Sequence, residues 1–335
     1  MDKVKIGVIG LGRITQVTHL PLLSKSPNVE ITALCDSEFN RTKALAEKYK
    51  VKHVFRDYQD LLALSEVDAI IIATPTNTHH DIAIDAIKAK KHCLVEKPLA
   101  RTAKEAQKIV NAIGKSGIKL MVGMNQRFRP DAMMLKNFIH GGEIGDVFFV
   151  KAGWLKKNVA DADWKVSKEL SGGGVFLDLG IMVLDLALWL LDFPKAESVS
   201  AINFDKSKAG VEDFSTVLIR LSTGQAITIE TGWNFEVDND LLYCNVYGKD
   251  GFARVNPLRF NKKIQENLVN VTPQRLGSIE DIYKRSYQNE LNHFIGAVLG
   301  LFPLASSGKE AVERMTIVDA IYQSAKTKRE VHLKP

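Results

Sequence analysis

The chain has 335 residues, 45% hydrophobic and 25% charged, the balance of a soluble globular protein long enough for two well-cored domains at roughly 150 residues each. Its 45 Lys and Arg against 39 Asp and Glu leave a net charge of +6, but the basic residues are scattered among acids, which excludes a nucleic-acid-binding tail or stripe. Cys35, Cys93 and Cys244 lie far apart, which excludes a disulfide scaffold and reads as reduced thiols of a cytoplasmic protein. The most apolar run, 186–193, is interrupted by Asp192 and too short to span a bilayer, and the amino terminus runs straight into a strand, so neither a membrane span nor a signal peptide is expected.

In chain order, β-branched runs at 4–9, 29–34, 69–73, 93–95 and 119–122 alternate with segments at 15–24, 39–49, 79–90 and 103–115 that carry apolar residues at helical spacing. Strands separated by helices of this length predict right-handed βαβ units and a doubly wound parallel sheet, an α/β nucleotide-binding domain over residues 1–123. Beyond Gly123 the rhythm changes. A helix at 131–139, a strand at 147–154 and a Gly-rich entry at Gly172 into a helix ending near Leu191 precede strand-like stretches at 198–204, 215–221, 226–232 and 241–247. Turn signals at Thr223-Gly224 and Lys249-Asp250-Gly251 join these into a mostly antiparallel open sheet. Helices at 282–299 and 309–326 complete an α+β second domain, 124–335.

Gly10-Leu11-Gly12-Arg13-Ile14-Thr15 falls between a predicted strand and a predicted helix, where two glycines allow a tight turn and close approach of a pyrophosphate to a helix N-terminus. Arg13 and Ile14 continue that turn, and Thr15 replaces the usual third small residue, which predicts a slightly wider separation of helix and strand. Asp36 ends the second strand at the distance expected of a carboxylate that accepts the adenosine ribose hydroxyls. It also repels a 2′-phosphate, so NAD is favoured, while the nearby Arg41 leaves NADP open. Capping of the following helix is the competing role for Asp36. The histidines, including His53, His80 and His140, show no metal-ligand spacing, and no metal is expected.

Ala73-Thr74-Pro75-Thr76-Asn77-Thr78-His79 after the third main strand and Glu96-Lys97-Pro98 after the fourth make the chain resemble the glucose-fructose oxidoreductase, inositol dehydrogenase and MocA family. Val122-Gly123-Met124-Asn125-Gln126-Arg127-Phe128, the run Gly172 to Gly180, and Glu290-Leu291-Asn292-His293-Phe294 extend the resemblance along almost the whole chain. It implies a Rossmann domain followed by a domain whose large open sheet mediates homodimer or homotetramer formation. By the same resemblance Thr74, Pro75, Asn77, His79, Glu96 and Lys97 line the cofactor, with capping or packing the competing role for the His79 imidazole. Lys97, at the end of an apolar strand, is the leading catalytic candidate, since an ammonium there polarises a carbonyl or holds a hydroxyl.

The family carries Asp, three residues, then His after the triple glycine; here Asp178 is present, but the second position is Met182. A thioether has no proton-transfer chemistry. Either Lys97 and Asp178 handle the proton, or Met182 packs against an apolar part of the substrate, or the chain binds dinucleotide and sugar as a sensor of weak or no activity. Asn125, Arg127, Lys156 and Trp164 join Lys97, Asp178 and Met182 as substrate-binding candidates. For Arg127 a structural ion pair is the competing reading, and for Trp154 core packing is favoured. Tyr287, Glu290 and His293 share a helix face that packing explains by default. The function expected is an NAD(P)-dependent oxidoreductase acting on a secondary alcohol or ketone of a sugar, inositol or sugar derivative, with no nucleic-acid partner.

Overall fold

The computed structural model describes residues 3–157, 163–235, 238–273 and 277–333. The first unit holds a six-stranded parallel sheet of β1 (Val4–Ile9), β2 (Val29–Cys35), β3 (His53–Phe55), β4 (Ala69–Ile72), β5 (His92–Glu96) and β6 (Leu120–Gly123), in the order β3-β2-β1-β4-β5-β6. Its strands are continuous apolar runs because helices cover both faces, and Ile6, Val8, Ile70, Ile71 and Val95 are fully buried. The connections carry α1 (Leu20–Leu23), α2 (Phe39–Tyr49), α3 (Tyr58–Leu62), α4 (Thr76–Lys88) and α5 (Ala103–Ile113). Local chemistry sets several helix starts: the Asp57 carboxylate accepts the Gln59 N–H, and the Thr102 hydroxyl accepts the Glu105 N–H. The strand order reverses between β1 and β4, and a ligand crevice forms outside the carboxyl ends of strands at such a point.

The second unit carries α6 (Pro130–His140), β7 (Val147–Leu155), α7 (Lys168–Ser171), α8 (Ile181–Leu190) and a nine-stranded sheet. Its further strands are β8 (Ala196–Phe204), β9 (Phe214–Leu221), β10 (Ala226–Gly232), β11 (Leu241–Gly248), β12 (Gly251–Val255), β13 (Arg259–Ile264), β14 (Asn267–Asn270) and β15 (Val331–His332). The order is β14-β13-β12-β11-β7-β10-β9-β8-β15, antiparallel throughout except for the β7–β10 pair. The inner face buries Val150, Ile219, Ile229 and Val246 under α8, whose residues are apolar on nearly every side. The stretch Lys168–Leu190 is long and apolar enough to cross a membrane, longer than the run noted in the sequence, but its most apolar 18-residue window is 89% buried inside the protein, as the core segment of a folded domain is. The strands β3 and β12 to β15 were not expected, and the sheet is accordingly larger than four strands and β7.

The helices α9 (Ile279–Val298) and α10 (Gly308–Thr327) each cross the division between units. Residues 1–124 group with Tyr287–Val312, and 125–286 group with 313–335, so a contiguous second domain over 124–335 is not what the packing gives. The reason lies at β6: the Val122 N–H donates to the Ser306 carbonyl at 2.9 Å, the Ser306 hydroxyl donates to the Val122 carbonyl at 2.7 Å, and Met121 bridges Ser307.

Candidate active site

At the end of β1, Gly10 has φ +91°, and a Cβ there would lie 2.5 Å from the Ala73 carbonyl oxygen, so only glycine lets the turn pass this close to the end of β4. A Cβ at Gly12 would meet nothing within 4 Å, which leaves open space over the turn. Thr15 is fully buried and its hydroxyl donates to the Gly10 carbonyl at 2.7 Å. Residues Thr15–His19 form a widened π turn that begins at this threonine. Arg13 is exposed and Ile14 half-buried on the outside of the turn.

Asp36 stands at the end of β2, its Oδ2 accepting the Leu11 N–H at 2.7 Å and its Oδ1 the Glu38 N–H at 2.8 Å, with Arg41 Nη1 3.3 Å from Oδ2. The capping reading and the ribose reading are therefore compatible, because each carboxylate oxygen has more than one lone pair. The Asn77 Oδ1 is buried and lacks a hydrogen-bond partner among the described residues. Open space over Gly12, an acceptor-rich Asp36 and the orphaned Asn77 oxygen fit a dinucleotide with its hydroxyl and amide donors.

The Lys97–Pro98 bond is cis. Behind it, His79 is buried, with Nδ1 2.8 Å from the Pro98 carbonyl and Nε2 2.9 Å from the Thr74 carbonyl. Both ring nitrogens face protein carbonyls, one before α4 and one after β5, rather than a ligand, and a neutral ring with its single N–H donates to one of them at a time. Burial holds the His79 pKa below the ordinary histidine value against the opposing pull of these carbonyls and of Glu96. Thr74 accepts the Thr78 hydroxyl at 2.7 Å, and Pro75 is exposed.

A residue that sequence reasoning missed completes this layer. His19, fully buried, has Nε2 2.8 Å from Glu96 Oε1, while Glu96 Oε2 accepts the Lys97 N–H at 3.3 Å. Burial raises the Glu96 carboxyl, but the His19 hydrogen bond and the His19 and Lys97 charges outweigh it and hold the group below the ordinary carboxylate range. Tyr287 meets the His19 ring edge-on at 6.2 Å, which agrees with packing as its role. The His293 Nε2 accepts the Ala305 N–H at 2.9 Å, also a structural contact. Burial pushes the Cys35, Cys93 and Cys244 thiols up to about 12, so none is a nucleophile at neutral pH.

In the second unit the triple glycine is a packing device. A Cβ on Gly173 would lie 2.0 Å from the Tyr322 hydroxyl, and one on Gly174 would lie 2.0 Å from the Glu212 carbonyl oxygen. The Glu212 carboxylate accepts the Gly174 and Phe176 N–H groups, each at 3.0 Å, and the Tyr322 hydroxyl at 2.7 Å. This anchor sets the widened turn Phe176–Gly180, on which Asp178 stands. The Lys165 ammonium, the residue after half-buried Trp164, lies 3.1 Å from each oxygen of Asp178. Met182, one turn further, is buried at 5% exposure.

Arg127 does not stand free for a substrate. Its Nε and Nη2 bind the two oxygens of buried Asp185 at 2.6 Å each, and Arg314 Nη1 reaches the same carboxylate at 2.6 Å. The structural ion pair is the reading the geometry supports, and the substrate-binding role is withdrawn for this residue. Asn125 is likewise buried and donates to the Ser286 hydroxyl at 2.9 Å. Lys156 lies over the Trp154 ring at 5.3 Å, and Trp154 is buried, in keeping with packing. Neither Arg314 nor Lys165 was singled out from the sequence, since no local pattern marks a side chain whose partner is distant in the chain.

Known proteins decide the family. A family model described as an oxidoreductase family with an NAD-binding Rossmann fold matches residues 4–124, and the GFO/IDH/MocA C-terminal domain matches residues 133–254, together more than half of the chain. The chain belongs to the Gfo/Idh/MocA oxidoreductase family. D-Glucoside 3-dehydrogenase of Escherichia coli is 26% identical over 98% of this chain and 97% of the relative. Myo-inositol 2-dehydrogenase of Thermotoga maritima is 28% identical over 98% of each. The crystal structure of GenD2 from gentamicin A biosynthesis, in complex with NAD, superposes with a TM-score of 0.88 at 26% identity, covering 100% of this chain and 97% of that one. The resemblance read from the motifs, the fold and the NAD cofactor of this Gfo/Idh/MocA protein thus stand on independent comparisons, which lend the sensor alternative no support.

Proposed function

We propose that this protein oxidises a secondary alcohol of a sugar, inositol or sugar derivative to the ketone, or runs the reverse reaction, with NAD as cofactor and Lys97 and Asp178 as its catalytic residues. The observation that carries the proposal is the support given to Lys97. Its backbone is held by the half-buried Glu96 carboxylate that His19 binds, and the loop behind it by His79, so that two buried histidines and a carboxylate support one lysine. The names of the glucoside and inositol dehydrogenases among the relatives support a cyclic polyol as substrate.

Bound NAD supplies the acceptor for two electrons and a hydrogen from the substrate carbon. The chain's part is to bind and orient. Gly10, Gly12, Arg13 and Ile14 form the phosphate turn, Asp36 accepts ribose hydroxyls with Arg41 beside it, and Thr74, Pro75, Asn77, His79 and Glu96 build the wall toward Lys97. The Lys97 ammonium donates to the substrate oxygen, and Asp178 takes the hydroxyl proton. Trp164 and Lys156 offer a ring face and a cation for sugar recognition, and Met182 an apolar contact. Buried, unbridged cysteines support a cytoplasmic location, and the exposed apolar residues Ile202, Phe204 and Leu218 on β8 and β9 support a homodimer or homotetramer.

The test is reduction of NAD, and separately of NADP, across sugars, inositols and sugar acids by wild type and Lys97→Met. Turnover of a cyclic polyol with NAD, lowered about 10²-fold or more in the variant with NAD binding retained, is the expected result. Tight NAD binding without turnover of any member of the panel overturns the enzyme reading.

A further inference from the structure

We infer that the Lys165–Asp178 ion pair governs the proton of the reaction: Asp178 accepts it, and Lys165 is a positioning residue that keeps Asp178 ionised and aimed. The inference rests on the oxidoreductase reading above and deepens it.

Two observations carry it. The first is geometry: Lys165 Nζ sits 3.1 Å from both Asp178 oxygens, with the side chains only 20% and 14% exposed, so water screens the pair weakly. The second is chemistry: Met182, the next side chain along this helical face, carries no exchangeable proton and is buried.

Several charged groups on the elements around Asp178 have partners of their own. Glu212 accepts the Gly174 and Phe176 N–H groups and the Tyr322 hydroxyl, and Asp185 on α8 pairs with Arg127 and Arg314. Glu230 on β10 faces Lys151 of β7 and the Tyr243 hydroxyl, and Arg220 of β9 reaches Glu330.

In the oxidation the C–H electron pair leaves with its hydrogen for NAD, giving NADH, and the O–H pair becomes the second bond of the C=O. The proton passes to an Asp178 oxygen and then to water. As the carbon loses electrons the hydroxyl becomes strongly acidic, so a carboxylate suffices as acceptor, provided it is ionised when substrate arrives. An ammonium against both its oxygens secures that down to mildly acidic pH.

The experiment is a ¹³C NMR titration of the aspartate carboxyls in the protein without cofactor, the Asp178 signal identified by its loss in Asp178→Asn. It is paired with the pH profile of kcat/KM for polyol oxidation. In Lys165→Met the Asp178 midpoint is expected to rise by about 1–2 pH units, and the acid limb of kcat/KM to rise with it, while Lys165→Arg restores both. Lys165→Gln, which retains a donor without the charge, gives the same rise and serves if the methionine variant does not fold. A midpoint that stays put in both uncharged variants overturns the inference, as does a midpoint that moves while the acid limb does not. If wild type turns over no polyol, the oxidoreductase reading fails and this inference with it; if wild type turns over and the limb ignores residue 165, only the inference fails.

Discussion

A methyl group added at Gly10 tests the fold, and one added at Gly12 tests the cofactor. At Gly10 the new carbon meets the Ala73 carbonyl at 2.5 Å in a backbone with φ +91°, so Gly10→Ala is expected to destabilise the protein by about 2–3 kcal/mol in denaturant unfolding. At Gly12 it meets nothing within 4 Å and φ is ordinary, so stability should change by less than about 0.5 kcal/mol. If the open space is where the pyrophosphate approaches, Gly12→Ala weakens NAD binding roughly tenfold or more in a fluorescence titration, about 1.4 kcal/mol. Unchanged NAD affinity in a folded Gly12→Ala protein would sink that placement. This glycine pair was legible in the sequence because a turn between strand and helix leaves a local signature. His19, Lys165 and Arg314 were not, because an ordinary side chain acquires its role only from a partner brought up by the fold.

At the scale of elements, the entry to the core helix depends on one buried carboxylate. Burial pushes the Glu212 pKa above the ordinary value, against the hydrogen bonds from Tyr322, Phe176 and Gly174. Because the folded-state pKa is raised, the stabilising contribution is fully present below the unfolded value and is lost as pH rises through the folded one. Tyr322→Phe removes one donor from the ionised group, so its destabilisation should be about 1–2 kcal/mol at pH 8 and smaller at pH 5, measured by urea unfolding of both proteins at both pH values. A deficit that is equal at both, or larger at pH 5, would mean the hydroxyl does not support the carboxylate. The triple glycine announced a close approach, but not what approaches, since Glu212 comes from the loop before β9 and Tyr322 from the last helix. The same limit explains the missed strands: β14 is exposed at all four residues and β15 has only two, so neither has the alternation that reveals a half-buried strand. The helix at 39–49 and the strand at 226–232 carry clear periodicity, and the structure gives them those bounds.

At the scale of the whole molecule, the outer face of the nine-stranded sheet carries polar groups at its centre, among them the Lys151–Glu230 pair, but an apolar patch on its β8–β9 side. Side chains alternate along β8 and β9 so that Val199, Val217 and Ile219 face the core while Ile202, Phe204 and Leu218 are exposed. The register sets Ser200 opposite Leu218 and Ile202 opposite Thr216, which brings the exposed residues of the two strands onto one patch. Further across the sheet, beyond Arg220 and the Lys151–Glu230 pair, Phe149 of β7 stacks on Tyr247 of β11 at 5.7 Å. Contiguous patches of this kind on soluble proteins mark association surfaces, and a second copy of the same sheet offers matching apolar area by symmetry. Wild type is therefore expected to elute as a dimer or larger assembly in size-exclusion chromatography with light scattering. The double variant Ile202→Asp, Leu218→Asp should shift it toward the monomer, because two desolvated charges per protomer oppose burial of the face. Both positions point away from the core, so the circular dichroism spectrum of the variant should match wild type. A monomeric wild type at tens of micromolar, a concentration at which a contact worth roughly 8 kcal/mol would hold, removes the sheet as an assembly surface. An assembly that survives both aspartates puts the contact elsewhere.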